Sequence, residues 1–141
     1  MAWTNKDVRG TYEGAAAEAI TENDLVGRDA SGTIELPNAA VGTATFALGF
    51  AAMKDYAVGE KVAIVRTGRV KGLTDDASAA LTVGALYYLS ETTAGKITAT
   101  APSTVGDVVQ VVGVASATDT LEVMIGIPQV VASSGTWLTA K

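Results

Sequence analysis

The sequence predicts an all-β domain: a small barrel or sandwich of short antiparallel strands, with two similar halves and extended terminal arms. Short apolar segments alternate with turn residues every dozen or so positions, which is typical of these folds. A segment of the first half, residues 31–51, returns in the second half at residues 94–115. Apolar and polar residues alternate over 121–127, which indicates a strand with one buried face.

The two returning segments share their glycines and prolines as well as apolar residues. The matching positions are Gly32 with Gly95, Ile34 with Ile97, Pro37 with Pro102, Val41-Gly42 with Val105-Gly106, Gly49 with Gly113, and Ala51 with Ala115. Glycine marks positions where the backbone needs a positive φ or a close approach. We therefore expect two versions of one β unit; chance similarity in an Ala-, Val-, Gly- and Thr-rich chain is the alternative.

Each predicted strand is a short apolar run between turn residues. In the first half, Leu25-Val26 leads into a hairpin-type turn at residues 29–32 and then a strand at 33–36. The remaining strands follow turns that contain glycine, serine or threonine in most cases. They are predicted at residues 43–50, 62–65, 69–72, 86–89, 97–100, 108–112 and 121–127.

The segment 43–50 is the ambiguous element, because its Ala, Phe and Leu residues also suit a helix. Gly42 and Gly49 bracket it at strand length. Its counterpart in the repeat, 108–112, is rich in valine, which loses side-chain freedom in a helix. Both segments are therefore predicted to be strands.

The chain divides by pattern into three parts. Residues 1–14 lack clear periodicity and form an N-terminal arm or a loosely attached edge strand, residues 15–128 form the β domain, and residues 129–141 form a C-terminal tail. At 141 residues, the chain has the length of a single domain with its own core.

The composition excludes several classes of chemistry. The chain has no cysteine and no histidine, so disulfides, thiolate nucleophiles, zinc fingers and histidine acid–base catalysis are excluded. A net charge of −5 argues against nucleic-acid binding. The N-terminus lacks a signal-peptide pattern, and the most apolar stretch, 39–53, is too short and broken to span a membrane. We expect a soluble protein made in the cytoplasm.

No pattern in the sequence assembles a catalytic, cofactor or metal site. Gly95-Lys96 is followed by Ile97, where a phosphate-binding loop requires Ser or Thr. The acidic clusters Asp75-Asp76 and Glu22–Asp24 lie in polar, turn-like segments and lack the spacing of a calcium loop. We therefore predict no enzymatic activity, no cofactor and no bound metal.

The candidate residues for binding a partner lie in the terminal segments and on one basic strand. Both tryptophans lie outside the repeated body, so each ring is expected to pack either back on the body or onto a neighbour; tryptophan is a frequent interface anchor. Arg69 and Lys71 point the same way in an extended strand, which gives a basic stripe or an ordinary solvent face. Of Tyr87 and Tyr88, one must point inward and the other outward. The predicted partner-binding residues are Trp3, Tyr12, Arg69, Lys71, Trp137 and Leu138.

Several short motifs resemble the head-decoration, or capsid cement, proteins of tailed bacteriophages. They are Tyr56 to Val62, Val83-Gly84-Ala85-Leu86-Tyr87-Tyr88-Leu89, Gly95-Lys96-Ile97-Thr98, and Val108 to Ala115. The match covers roughly residues 15–128. The resemblance implies a compact β domain, commonly a homotrimer, on the capsid surface of the virion, where it ties neighbouring major capsid proteins together. It implies no catalytic residues.

A receptor- or glycan-binding module of a phage tail fibre or tail tip is the alternative, because similar short motifs occur there. The aromatic content of only 6% counts against it, since sugar-binding surfaces favour exposed Trp and Tyr. Neither of these two functions involves binding to nucleic acid or to a membrane.

Overall fold

The computed structural model describes the backbone of residues 10–42, 45–132 and 137–138, and the side chains of residues 14–42 and 45–132. In those residues the chain forms strands and irregular segments, with no helix. The strands are β1 Gly10–Ala15, β2 Leu25–Arg28, β3 Ile34–Glu35, β4 Gly49–Ala51, β5 Lys61–Val65, β6 Thr67–Lys71, β7 Leu86–Leu89, β8 Ile97–Thr98, β9 Val108–Val109, β10 Val111–Ala117, β11 Thr120–Met124, β12 Gln129–Val131 and β13 Trp137–Leu138.

The strands pair antiparallel in three sheets. The first sheet has the order β1-β5-β4-β2-β3, the second β6-β11-β10-β7-β8, and the third β13-β12-β9. Each sheet, as far as the structure describes it, has two edge strands and does not close on itself. The all-β prediction is therefore confirmed, as a sandwich and not as a barrel.

The two five-stranded sheets have the same topology. If β1 to β5 are matched with β6, β7, β8, β10 and β11, the strand orders of the two sheets become identical. The register agrees as well: Val26 pairs with Gly49, and at the corresponding place Tyr87 pairs with Gly113. The predicted repeat is thus a repeat of structure.

The matched glycines meet the same backbone requirements in both halves. Gly42 and Gly106 have φ angles of 90° and 94°, in the region that favours glycine. A Cβ atom on Gly49 would lie 2.3 Å from the Val65 carbonyl oxygen, and one on Gly113 would lie 2.4 Å from the corresponding oxygen of Glu122. These close approaches explain why both halves keep glycine in the middle of a sheet.

The prediction of a strand over 43–50 is wrong for most of the described part of that segment. Strand β4 begins only at Gly49, and residues 45–48 are irregular. The cause is a side chain from the second half: Gln110 Oε1 accepts a hydrogen bond from Ala47 N (2.8 Å), and Gln110 Nε2 donates to Ala47 O (2.9 Å). Because these groups bond to Gln110, they are not part of a strand ladder. Gln110 itself separates β9 from β10.

Two buried clusters form the core. One spans both halves and contains Leu25 and Phe50 of the first sheet together with Tyr87 and Leu121 of the second. The other lies within the first half and includes Val26. Because successive strand residues point to opposite faces, burial of both Leu25 and Val26 shows that the first sheet is covered on both faces.

The terminal segments contribute strands to this body. Strand β1 is an edge strand that pairs with β5. Strand β12 pairs with β9, and β13 pairs with β12. The division at residues 14 and 128 stays a prediction.

Candidate interaction surfaces

The predicted partner-binding residues within the described chain lie on three strands, β1, β6 and β13. Trp3 lies outside the described residues. Tyr12 lies in β1 and pairs with Ala63 of β5, and Trp137 and Leu138 form β13. The side chains of Tyr12, Trp137 and Leu138 are outside the described part. Arg69 and Lys71 lie in β6, where both are exposed.

Arg69 and Lys71 belong to a surface that we call the open face of the second sheet. A row of cross-strand partners runs over it from β6 to β7. Arg69 pairs with Glu122, Glu122 with Val114, and Val114 with Leu86. Cross-strand partners share a face, so this surface carries an ion pair at one end and aliphatic side chains at the other. The open face consists of Arg69, Lys71, Leu86, Tyr88, Val114 and Glu122.

The same row in the first sheet lies in the shared core or packs against it. Its positions are held by Val65, Phe50 and Leu25, which pair across β5, β4 and β2. Leu25 and Phe50 are fully buried, whereas Leu86, the counterpart of Leu25, is 43% exposed. In the described part of the chain, the first surface is therefore covered, and the equivalent second surface is open.

The open face carries charge as well as apolar area. Arg69 Nε forms a hydrogen-bonded ion pair with Glu122 Oε2, and both side chains remain accessible. Lys71 points the same way, while Val70 between them is buried in the core. Arg69 and Lys71 thus point to the same face, as the predicted basic stripe requires. Glu122 neutralises the charge of Arg69, so the positive charge of the stripe comes from Lys71.

The two tyrosines of β7 divide as predicted. Tyr87 is buried, and its hydroxyl oxygen accepts a hydrogen bond from Thr82 N at 2.8 Å. Tyr88 is half-buried on the open face. Its ring therefore lies partly against the sheet, which leaves less of it for stacking on a ligand than a projecting ring would offer.

An apolar cleft lies where the two halves meet, and sequence analysis did not find it. The cleft has a volume of about 720 Å³. Phe46, Met124 and Ile127 are more than half exposed around it. Exposure of Phe46 follows from the irregular backbone of 45–48, which the sequence pattern had assigned to a strand. The other lining residues are Ala47, Leu48, Arg66, Thr67, Gln110, Val123, Ile125, Gly126 and Pro128.

Two of the acidic groups illustrate different environments, a turn at Asp75 and a pair of neighbouring carboxyl groups at Glu91 and Asp107. Asp75 Oδ1 accepts hydrogen bonds from Ala77 N and Ala79 N, both at 2.8 Å, as expected for a turn. A hydrogen bond to the Asp107 carboxylate and partial burial raise the pKa of Glu91. Within the described ranges no three potential ligands come together as a metal site.

No protein-family model matches the chain, and no curated protein matches it either. The described residues contain no helix with the length and hydropathy needed to cross a membrane.

Proposed function

We propose that this protein is a structural component of a tailed-bacteriophage virion that binds the outer surface of the capsid. In this role it joins neighbouring major capsid proteins as a homotrimer. The observation that carries the proposal is the open face of the second sheet. It is the counterpart of a surface that the chain buries in its own first half, and it combines aliphatic side chains with an accessible ion pair.

The physical properties of the body suit this role. The repeated β unit, with both faces of the first sheet covered, makes a firm scaffold that presents one sheet face outward. A decoration protein needs such a surface, and many weak contacts repeated over a symmetric shell add through multivalency. The resemblance of several sequence motifs to those of head-decoration proteins supports the same function.

A binding experiment tests the proposal directly. The purified protein is added to capsids, prepared without it, of the phage that encodes it. We expect saturable binding at a fixed ratio to the major capsid protein, and a trimer mass by light scattering. Leu86→Asp should weaken capsid retention at least tenfold, because it places an uncompensated charge in the interface. Val58→Asp, at another exposed apolar site, is the matched control and should bind like the parent.

Binding to tails or to glycans in place of capsids would favour the receptor-binding alternative and contradict the proposal. Equal retention of the Leu86→Asp and Val58→Asp variants would show that the open face is not the contact surface.

A further inference from the structure

We propose that the apolar cleft between the halves is the binding site for this chain's own N-terminal segment, residues 1–9, and that the Trp3 indole fills it. This inference concerns a surface other than the open face and does not depend on the proposed function.

The chemistry of the cleft calls for an apolar occupant. Ile127 is 74% exposed at its edge, and Phe46 is 53% exposed. Large apolar side chains exposed together mark an interaction site. The buried polar group beside them, the Gln110 amide, already bonds to Ala47 and to Gly126 O at 3.0 Å. An occupant therefore gains binding free energy by burying apolar surface. An aromatic ring does this with little loss of conformational freedom.

The position of Gly10 places the attachment point of this segment near the cleft. Gly10, the first described residue, pairs with Val65. The next two residues after Val65, Arg66 and Thr67, line the cleft. Gly10 therefore lies beside the strand end that leads into the rim of the cleft. Trp3 lies seven residues before Gly10, which allows a reach of about 23 Å in extended chain.

Composition selects this segment among the parts of the chain outside the described backbone. Those other parts are residues 43–44, 133–136 and 139–141, and they consist of Thr, Ala, Ser, Gly and Lys. Residues 1–9 alone contain large apolar side chains: Met1, Trp3 and Val8. Tethering so close to the cleft also gives the segment a high effective concentration over any partner in solution.

Tryptophan fluorescence tests the proposal in the full chain. In a Trp137→Phe background, Trp3 is the only tryptophan. We expect a blue-shifted emission and several-fold weaker acrylamide quenching than for free tryptophan, at every protein concentration. Ile127→Ser should shift the emission to the red and raise quenching. The matched control Val58→Ser changes an exposed apolar residue near the far end of β1, where Gly59 N bonds to Ala16 O, and should leave the spectrum unchanged.

Cross-linking gives a second measurement that does not depend on fluorescence, because the chain has no cysteine. Thr4→Cys combined with Phe46→Cys should oxidise to an intramolecular disulfide, whereas Thr4→Cys combined with Val58→Cys should not. A solvent-like Trp3 spectrum that Ile127→Ser does not alter would overturn the proposal. So would a disulfide that joins two chains in place of one, because the occupant would then be a second copy.

Discussion

The two halves of this protein have the same strand order and the same register, yet the equivalent faces of their sheets have different environments. In the first half, Leu25 and Phe50 lie in the core that both halves share. In the second half, the corresponding positions, Leu86 and Val114, lie on the open face. A common topology therefore does not determine which surface is buried, because burial depends on what the rest of the chain covers.

The side chains have diverged accordingly, and the backbone requirements have not. At the position of Val65, which packs against the shared core, the second half has Glu122, and Glu122 forms an ion pair with Arg69. The glycines at positions 49 and 113, by contrast, are retained because both approach a carbonyl oxygen closely. A face that is open accommodates charge, whereas a close backbone contact has the same requirement in either half.

The same substitution at Leu25 and at Leu86 tests this difference most strongly. Leu25 is fully buried, so Leu25→Ala should lower the free energy of unfolding by about 3–4 kcal/mol, through lost burial and the cavity that remains. Leu86→Ala should lower it by less than about 1 kcal/mol, because that side chain is partly exposed. Urea denaturation of the isolated protein measures both values. Equal losses in the two variants would mean that the open face is covered in solution.

The glycine pair tests the shared part of the framework. Alanine at Gly49 or Gly113 would bring a Cβ atom to 2.3 Å or 2.4 Å from a carbonyl oxygen, and each variant should lose about 2 kcal/mol through overpacking and displaced strands. Thermal unfolding should show similar losses for the two variants. Because the clash is with backbone in both sheets, a side-chain rearrangement cannot relieve it.

Gly42 and Gly106 do not serve as a matched pair, since only Gly106 has a neighbour, Val41, within reach of an added Cβ. Gly59→Ala is the better control: it meets no atom within 4 Å and suffers only from its φ of 89°, at a cost of about 1 kcal/mol. If Gly49→Ala and Gly113→Ala cost no more than this control, the close approach is not the reason for glycine there.

The repeat was predictable from sequence because glycine positions depend on local backbone geometry. Gly32 and Gly95 show this, with φ angles of 88° and 80°. The irregular backbone of 45–48 was not predictable, because the group that binds it, the amide of Gln110, comes from 63 residues away. Local pattern favoured a strand there, and a long-range side-chain contact prevailed.

The candidate surfaces were only partly predictable for the same reason. The common orientation of Arg69 and Lys71 follows from strand periodicity, so sequence revealed it. The pairing of Arg69 with Glu122 joins two strands whose register the sequence did not specify. The cleft depends on how the halves pack, which local pattern does not show. The alternation over 121–127 predicted a strand with Ile127 on its buried face, and this is wrong: β11 ends at Met124, and Ile127 is exposed.

The smallest expected effect concerns the β2–β3 hairpin and its counterpart between β7 and β8. Asp29 N donates to Thr33 O (2.9 Å) in the first, and Ser90 N donates to Lys96 O (3.0 Å) in the second. The Asp29 carboxylate accepts further hydrogen bonds from Ser31 N and Thr33 N. In the second turn, the Ser90 hydroxyl oxygen accepts hydrogen bonds from the backbone amides of residues 92 and 93. A carboxylate thus holds one hairpin and a hydroxyl group holds the other.

Acid should therefore loosen the first hairpin more than the second. The side-chain hydrogen bond from Thr33, together with the turn amides, lowers the pKa of Asp29 below its ordinary value. A carboxyl group with a lowered pKa stabilises the folded state above its unfolded-state pKa and loses that contribution as pH falls through its folded-state pKa.

Between about pH 5 and about pH 2, amide exchange at Thr33, corrected for its intrinsic pH dependence, should accelerate more than exchange at Thr93. Asp29→Ser should abolish this difference. Asp76 Oδ2 accepts a hydrogen bond from the Ser90 hydroxyl, whereas the compared Thr93 amide donates to the Ser90 hydroxyl oxygen. Equal acceleration at both amides would show that the two turns respond to a general loosening of the fold and not to the protonation of Asp29.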